Sequence, residues 1–74
     1  MPRYVITNDK PDGSRVFRAD YRKSGWSDEY PDANKYIHRR VALREAQRLE
    51  GEGLTVAVYE SYGMDAERAI YPEQ

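Results

Sequence analysis

His38 is the only histidine in the chain, and three acids, Asp28, Glu29 and Asp32, stand in the segment before it. A histidine works as a general base when a carboxylate orients it and a nucleophile lies within hydrogen-bond reach. The three acids offer a conceivable orienter, but no Ser-His-Asp or paired-carboxylate spacing accompanies them. With no cysteine and no second histidine, His38 is also a poor start for a metal site. Gly51-Glu52-Gly53 follows a helix-like run instead of opening one, the wrong end for cradling a phosphate. A chain of 74 residues has little room for a water-excluding pocket. The expectation is no enzyme, no cofactor and no metal.

The chemistry these residues favour is recognition. Arg15, Arg18, Arg22, Arg39, Arg40, Arg44 and Arg48 fall in one strand-like and one helix-like run, and Arg40, Arg44 and Arg48 share a stripe by their four-residue spacing. The net charge of −1 hides an uneven distribution: residues 1–23 carry six basic and three acidic groups, 24–34 three acids, 35–49 five basic groups and one acid, and 50–74 six acids and one arginine. Such asymmetry bears on partners and not on fold. Seven tyrosines suit a half-buried sheet, and tyrosine and arginine are also residues of binding hot spots. Trp26, alone in a polar loop, is either a cap folded back over the core or an exposed anchor for a partner, and the cap is favoured because it removes a large apolar area from water.

These residues need a scaffold, and the hydrophobic pattern supplies one. Tyr4–Thr7 is a short β-rich run, Asn8–Ser14 with Pro11-Asp12-Gly13 is a hairpin turn, and Arg15–Arg22 alternates as a second strand with Phe17, Ala19 and Tyr21 on one face and Val16, Arg18, Asp20 and Arg22 on the other. Lys23–Asn34 is a loop, and Lys35–His38 is expected to form a short third strand with Tyr36 inward. A helix is predicted over Arg39–Glu50, since Ala42, Ala46 and Leu49 recur at helical spacing, ended by Gly51 or Gly53. A last strand is predicted over Leu54–Ser61. In the tail, Asp65 is expected to cap a short turn through Ala66–Ile70 that Pro72 stops, with Ile70 and Tyr71 packing on the body and the last three residues loose.

The expected fold is a single α+β domain over 1–74. It is two-layered, with a small antiparallel sheet in the order ββ(β)αβ and one helix on one face. The compact part covers about 3–61 and the tail 62–74 is peripheral. The predicted core is Tyr4 or Ile6, Phe17, Ala19, Tyr21, Trp26, Tyr36, Ala42, Ala46, Leu49, Val56 and Val58. No apolar run is long enough to span a bilayer, and Met1-Pro2-Arg3-Tyr4 lacks signal-peptide character, so a cytoplasmic protein without membrane contact is expected.

Trp26-Ser27-Asp28, Ala33 with Tyr36, Ala42 with Ala46, and Val56 with Val58 occur in an order that resembles a widespread group of small bacterial and phage ββαβ proteins of unassigned function. The resemblance covers residues 4–60. Its motif residues are core and turn residues, so it implies a fold and is silent on activity. One departure stands out. The group commonly opens its helix with Ser or Thr followed by acids, whereas this chain has His38-Arg39-Arg40. Positive charge beside a helix N-terminus costs roughly 0.3–1 kcal/mol per group, and no local capping logic explains it.

The sequence therefore predicts a non-enzymatic protein-binding module. Its expected partner surface is Arg18, Arg22, Arg40, Arg44, Arg48 and Tyr59, on the helix and on a sheet face left open by a single covering helix. By analogy of size and resemblance, the expected role is a phage or mobile-element inhibitor of a bacterial defence or host complex (anti-CRISPR-like), with a bacterial protein or ribonucleoprotein complex as partner. The alternative is a small nucleic-acid-binding module using the same arginines, against which the pI of 5.8 weighs. A homodimer through the open sheet face is a third arrangement.

Overall fold

Val5, Ile6 and Thr7 are consecutive β-branched residues and all three are buried, the pattern of a central strand covered on both faces. The computed structural model describes residues 1–72, and this strand, β1, is Arg3–Asp9. It is followed by β2 (Arg15–Arg18), β3 (Trp26–Ser27), a 3-10 turn (Tyr30–Asp32), the helix α1 (Arg39–Gly51), β4 (Val56–Ser61) and β5 (Ala66–Tyr71). The five strands form one antiparallel sheet in the order β3-β2-β1-β4-β5, with α1 packed against β1 and β4, a small α+β fold.

The hairpin between β1 and β2 forms where the turn residues placed it. Lys10 N–H bonds to Ser14 O at 2.9 Å, Gly13 N–H to Lys10 O at 3.0 Å, and the Asp12 carboxylate accepts from Ser14 N–H at 2.9 Å. The helix presents Ala42, Ala46 and Leu49 to Ile6, Val56 and Val58, and its two alanines let the backbone lie close to the sheet. Gly53, at φ +93°, ends it, and Leu54 N–H returns to Leu49 O.

Several expectations are corrected. The register pairs Ile6 with Val58 and Thr7 with Phe17, so Phe17 lies on the sheet face away from the helix, in a second core with Val5 and Ala33. The 3-10 turn covers that face: the Tyr30 ring meets Phe17 edge-on at 5.8 Å, and the Tyr30 hydroxyl bonds with Ser61 Oγ. Tyr21, expected in the core, is 65% exposed. Strand β2 stops at Arg18 because the next residues hydrogen-bond among themselves, Arg22 N–H to Ala19 O and Gly25 N–H to Arg22 O. The strand expected over Lys35–His38 reduces to one bridge between Tyr36 and Tyr4, and Trp26–Ser27 takes the third place. The tail makes an edge strand, not a capped helical turn. Its Ile70 and Tyr71 do pack on the helix-side core. The loose end was expected at residues 72–74, of which Glu73 and Gln74 lie outside the described residues.

Gly25 sits at φ +85°, and a Cβ there would lie 2.7 Å from Arg18 Nη1. The backbone strain dominates, since the crowded atom is the movable end of the Arg18 side chain, so Gly25→Ala is expected to cost about 1–2 kcal/mol, a fall in Tm of roughly 5–10 °C for a domain of this size. Thermal unfolding by circular dichroism checks it.

Candidate functional site

The structure distributes the six predicted partner residues over different parts of the fold. Arg18 lies on the helix side of β2, where its Nη2 meets Glu45 Oε2 at 3.3 Å and its side chain is only 15% exposed. Its guanidinium stacks over Trp26 at 5.3 Å, and Nη1 donates to Gly25 O at 3.2 Å. Trp26 therefore closes the edge of the helix-side core as a half-buried cap. Arg48 is held twice, by Glu45 at 2.8 and 2.9 Å and by Glu52 at 2.6 Å. Arg22 pairs with Asp32 at 2.5 Å. Tyr59 faces the other side of the sheet, under the guanidinium of Arg15 at 4.8 Å, and its hydroxyl accepts from Arg15 Nη2 at 2.8 Å. With the 3-10 turn and Ala33 packed over β1 and β2, and Ala57 buried, the open sheet face expected from sequence is not present there.

Glu45 joins two elements: it binds Arg18 from the sheet and Arg48 from the next helical turn. The Arg48 hydrogen bond holds the Glu45 carboxyl below its ordinary value of 4.5, against the opposing effect of burial, and the charges of Arg48 and Arg18 add to it. A carboxylate depressed in the folded state contributes stability that is complete above its unfolded value and lost as pH falls through the folded one. Asp32 behaves in the same direction from its ordinary 3.8, held first by the Ser27 hydroxyl and then by Arg22. Stability is thus expected to decline below about pH 4.5. Glu45→Gln is expected to cost about 1 kcal/mol at neutral pH and to flatten the acid limb of a Tm-against-pH profile.

Arg40 and Arg44 differ from the other four. Both are exposed, and among the described residues neither has an acidic partner at ion-pair distance, nor does Arg39. All three stand in the first half of α1, whose N-cap, His38, is extended (φ −107°, ψ 125°) and makes no side-chain capping bond; the first turn holds no acid. The positive end of the helix and three guanidiniums therefore act in the same direction. Open grooves border them; on one side Arg44 shares a groove of about 260 Å³ with Asp20, Tyr36, Val41, Glu45 and Arg48, and two others lie toward Leu43. One, of about 450 Å³, is lined by Arg39, Arg40, Leu43, Arg44 and Gln47; the other, of about 330 Å³, by Arg39, Leu43, Gln47, Ile70 and Tyr71. They share Arg39, Leu43 and Gln47, so they adjoin along one side of the helix.

No family model, curated protein or solved structure matches this chain. The site's apolar floor and basic rim suit binding of an acidic macromolecular surface. Among the described residues no three His, Cys, Asp or Glu side chains gather as a metal site, and no helix is long and apolar enough to cross a membrane. Arg39 and Leu43 were legible as helix residues beside the predicted stripe. Ile70 and Tyr71 were legible as residues packed on the body but not as neighbours of this helix face, because the tail reads locally as a helical turn and only its pairing with β4 brings them there.

Proposed function

We propose that this chain is a non-enzymatic protein-binding module whose outer helix face, centred on Arg40 and Arg44, engages an acidic surface of its partner. One observation carries this reading. Arg15, Arg18, Arg22, Arg48 and Arg68 each pair with an acid of the same chain, while among the described residues Arg39, Arg40 and Arg44, all in the first half of one helix, have none, and of the remaining arginines only Arg3, on β1, shares that state. A chain with thirteen acids does not lack carboxylates to neutralise them. Arginine beside exposed apolar surface is the composition of interface hot spots, and Leu43 supplies the apolar part. The setting we propose is cytoplasmic, with a bacterial protein or ribonucleoprotein complex as the partner and inhibition as the outcome. That part is supported by motif order and size alone.

The test is capture from a nuclease-treated bacterial lysate on the immobilised chain, with the retained protein identified by mass spectrometry. A single acidic partner retained without nucleic acid is the expected result. The second reading, a nucleic-acid module, is favoured by the same three unpaired arginines. Binding of labelled DNA and RNA at about 50 mM salt, with a steep loss as salt rises, would move the conclusion to it. Sizing by light scattering tells whether the chain does this as a monomer or a homodimer.

A further inference from the structure

We propose that the seam between α1 and β5 receives a short acidic peptide segment of the partner, whose apolar side chain seats on Leu43. This rests on the protein-binding reading above and specifies what the helix face holds. Strand β5 pairs with β4 and lies beside the helix, so Ile70 and Tyr71 form one wall and Arg39, Leu43 and Gln47 the other. Leu43 is only partly buried while packing on the helix-side core, which leaves part of an apolar side chain as the floor. Arg40 and Arg44 continue the wall outward. At the far end the Tyr71 hydroxyl bonds to the Glu50 carboxylate.

The seam is therefore basic at the start of the helix, apolar in the middle and acidic at the end. A phosphate backbone would use the arginines and leave Leu43 without a role. A basic segment would meet three unpaired guanidiniums. An acidic segment with one apolar anchor satisfies both features. From Arg39 to Gln47 the helix rises about 12 Å, the reach of about four extended residues. Arg40 and Leu43 are separated by about 4.5 Å of rise. The matching segment thus carries its carboxylate one or two residues from its apolar side chain.

The experiment is selection of displayed random twelve-residue peptides on the immobilised full chain, followed by fluorescence anisotropy with the best peptide synthesised and labelled. Enriched peptides are expected to carry Asp or Glu within two residues of Leu, Ile, Met or Phe. Leu43→Ala is expected to weaken binding about tenfold, as truncation of an interface anchor does. Gln47→Glu, an exposed and nearly isosteric change that keeps the proposal testable should Leu43→Ala unfold, is expected to weaken it about tenfold by placing like charge in the seam. Failure to enrich any peptide, or enrichment without acidic residues, overturns the proposal. If reversing Arg40 and Arg44 abolishes peptide binding while Leu43→Ala and Gln47→Glu leave it intact, the seam falls and the basic-face reading stands. If none of these variants changes it, both fall.

Discussion

Arg40→Glu combined with Arg44→Glu is expected to weaken partner binding about 100-fold or more while raising the melting temperature slightly. The two effects have separate causes. At an interface, each reversal removes a charge-assisted contact and adds a repulsive one, and interfacial charge pairs are coupled by about 1.5 kcal/mol or more. Two such losses exceed the 2.7 kcal/mol that a 100-fold change represents. In the free chain, the same substitutions relieve a conflict. Arg40 stands in a first turn with no acid, and an acid there is favourable by roughly 0.3–1 kcal/mol. Glu at position 44 also falls four residues before Arg48, the favourable order for a helix pair. Titration calorimetry with the captured partner and thermal unfolding of the free variant measure the two. A folded variant that binds at full strength would remove the helix face from the site. A variant that loses both binding and stability would show that these arginines hold the fold instead.

Ile6→Ala is expected to cost about 3–4 kcal/mol. Ile6 is fully buried, paired with Val58 across β1 and β4, and faces Ala42, Ala46 and Leu49. Truncating a buried isoleucine costs about 2–5 kcal/mol, the upper part where the surroundings cannot collapse. Here they are β-sheet backbone on one side and a helix already at close approach on the other. A domain of this length holds about 4–11 kcal/mol in total, so the loss is about a quarter or more of its stability, and Tm is expected to fall by roughly 15–25 °C. Val5→Ala, on the opposite face, is expected to cost less, about 2 kcal/mol, because the 3-10 turn and Ala33 that cover it are connected segments able to settle inward. Urea unfolding of the two variants separates the cores. Equal costs would mean that the second layer is as firmly held as the helix.

The helix, its glycine end and the first hairpin were legible because each depends on neighbours in sequence: apolar residues at helical spacing, Gly53 where φ must be positive, Pro11-Asp12-Gly13 in the turn. The double coverage of the sheet was not. Alternation in β1 leads to a choice between Tyr4 and Ile6 and passes over Val5, since a strand buried on both faces has no alternation to read. What covers Val5 and Phe17 comes from a polar loop, Tyr30–Ala33, that carries no apolar periodicity. β5 was hidden by its own composition. Ala66-Glu67-Arg68-Ala69 is made of helix formers, and the hydrogen bonds offered by β4 outweighed that preference. Arg18 was misplaced for a related reason. An arginine in an alternating strand reads as solvent-facing, and the acid that draws it inward, Glu45, belongs to a distant element. Arg40 and Arg44 kept their predicted exposure because their position on the helix follows from local spacing alone.

The shared carboxylate of Glu45 has a mechanical consequence. By tying a guanidinium of the sheet to one of its own helix, it resists any roll of the rod about its long axis. The angle at which the basic crest faces outward is then fixed in the free chain, and if that crest docks as proposed, no association energy is spent on finding its orientation.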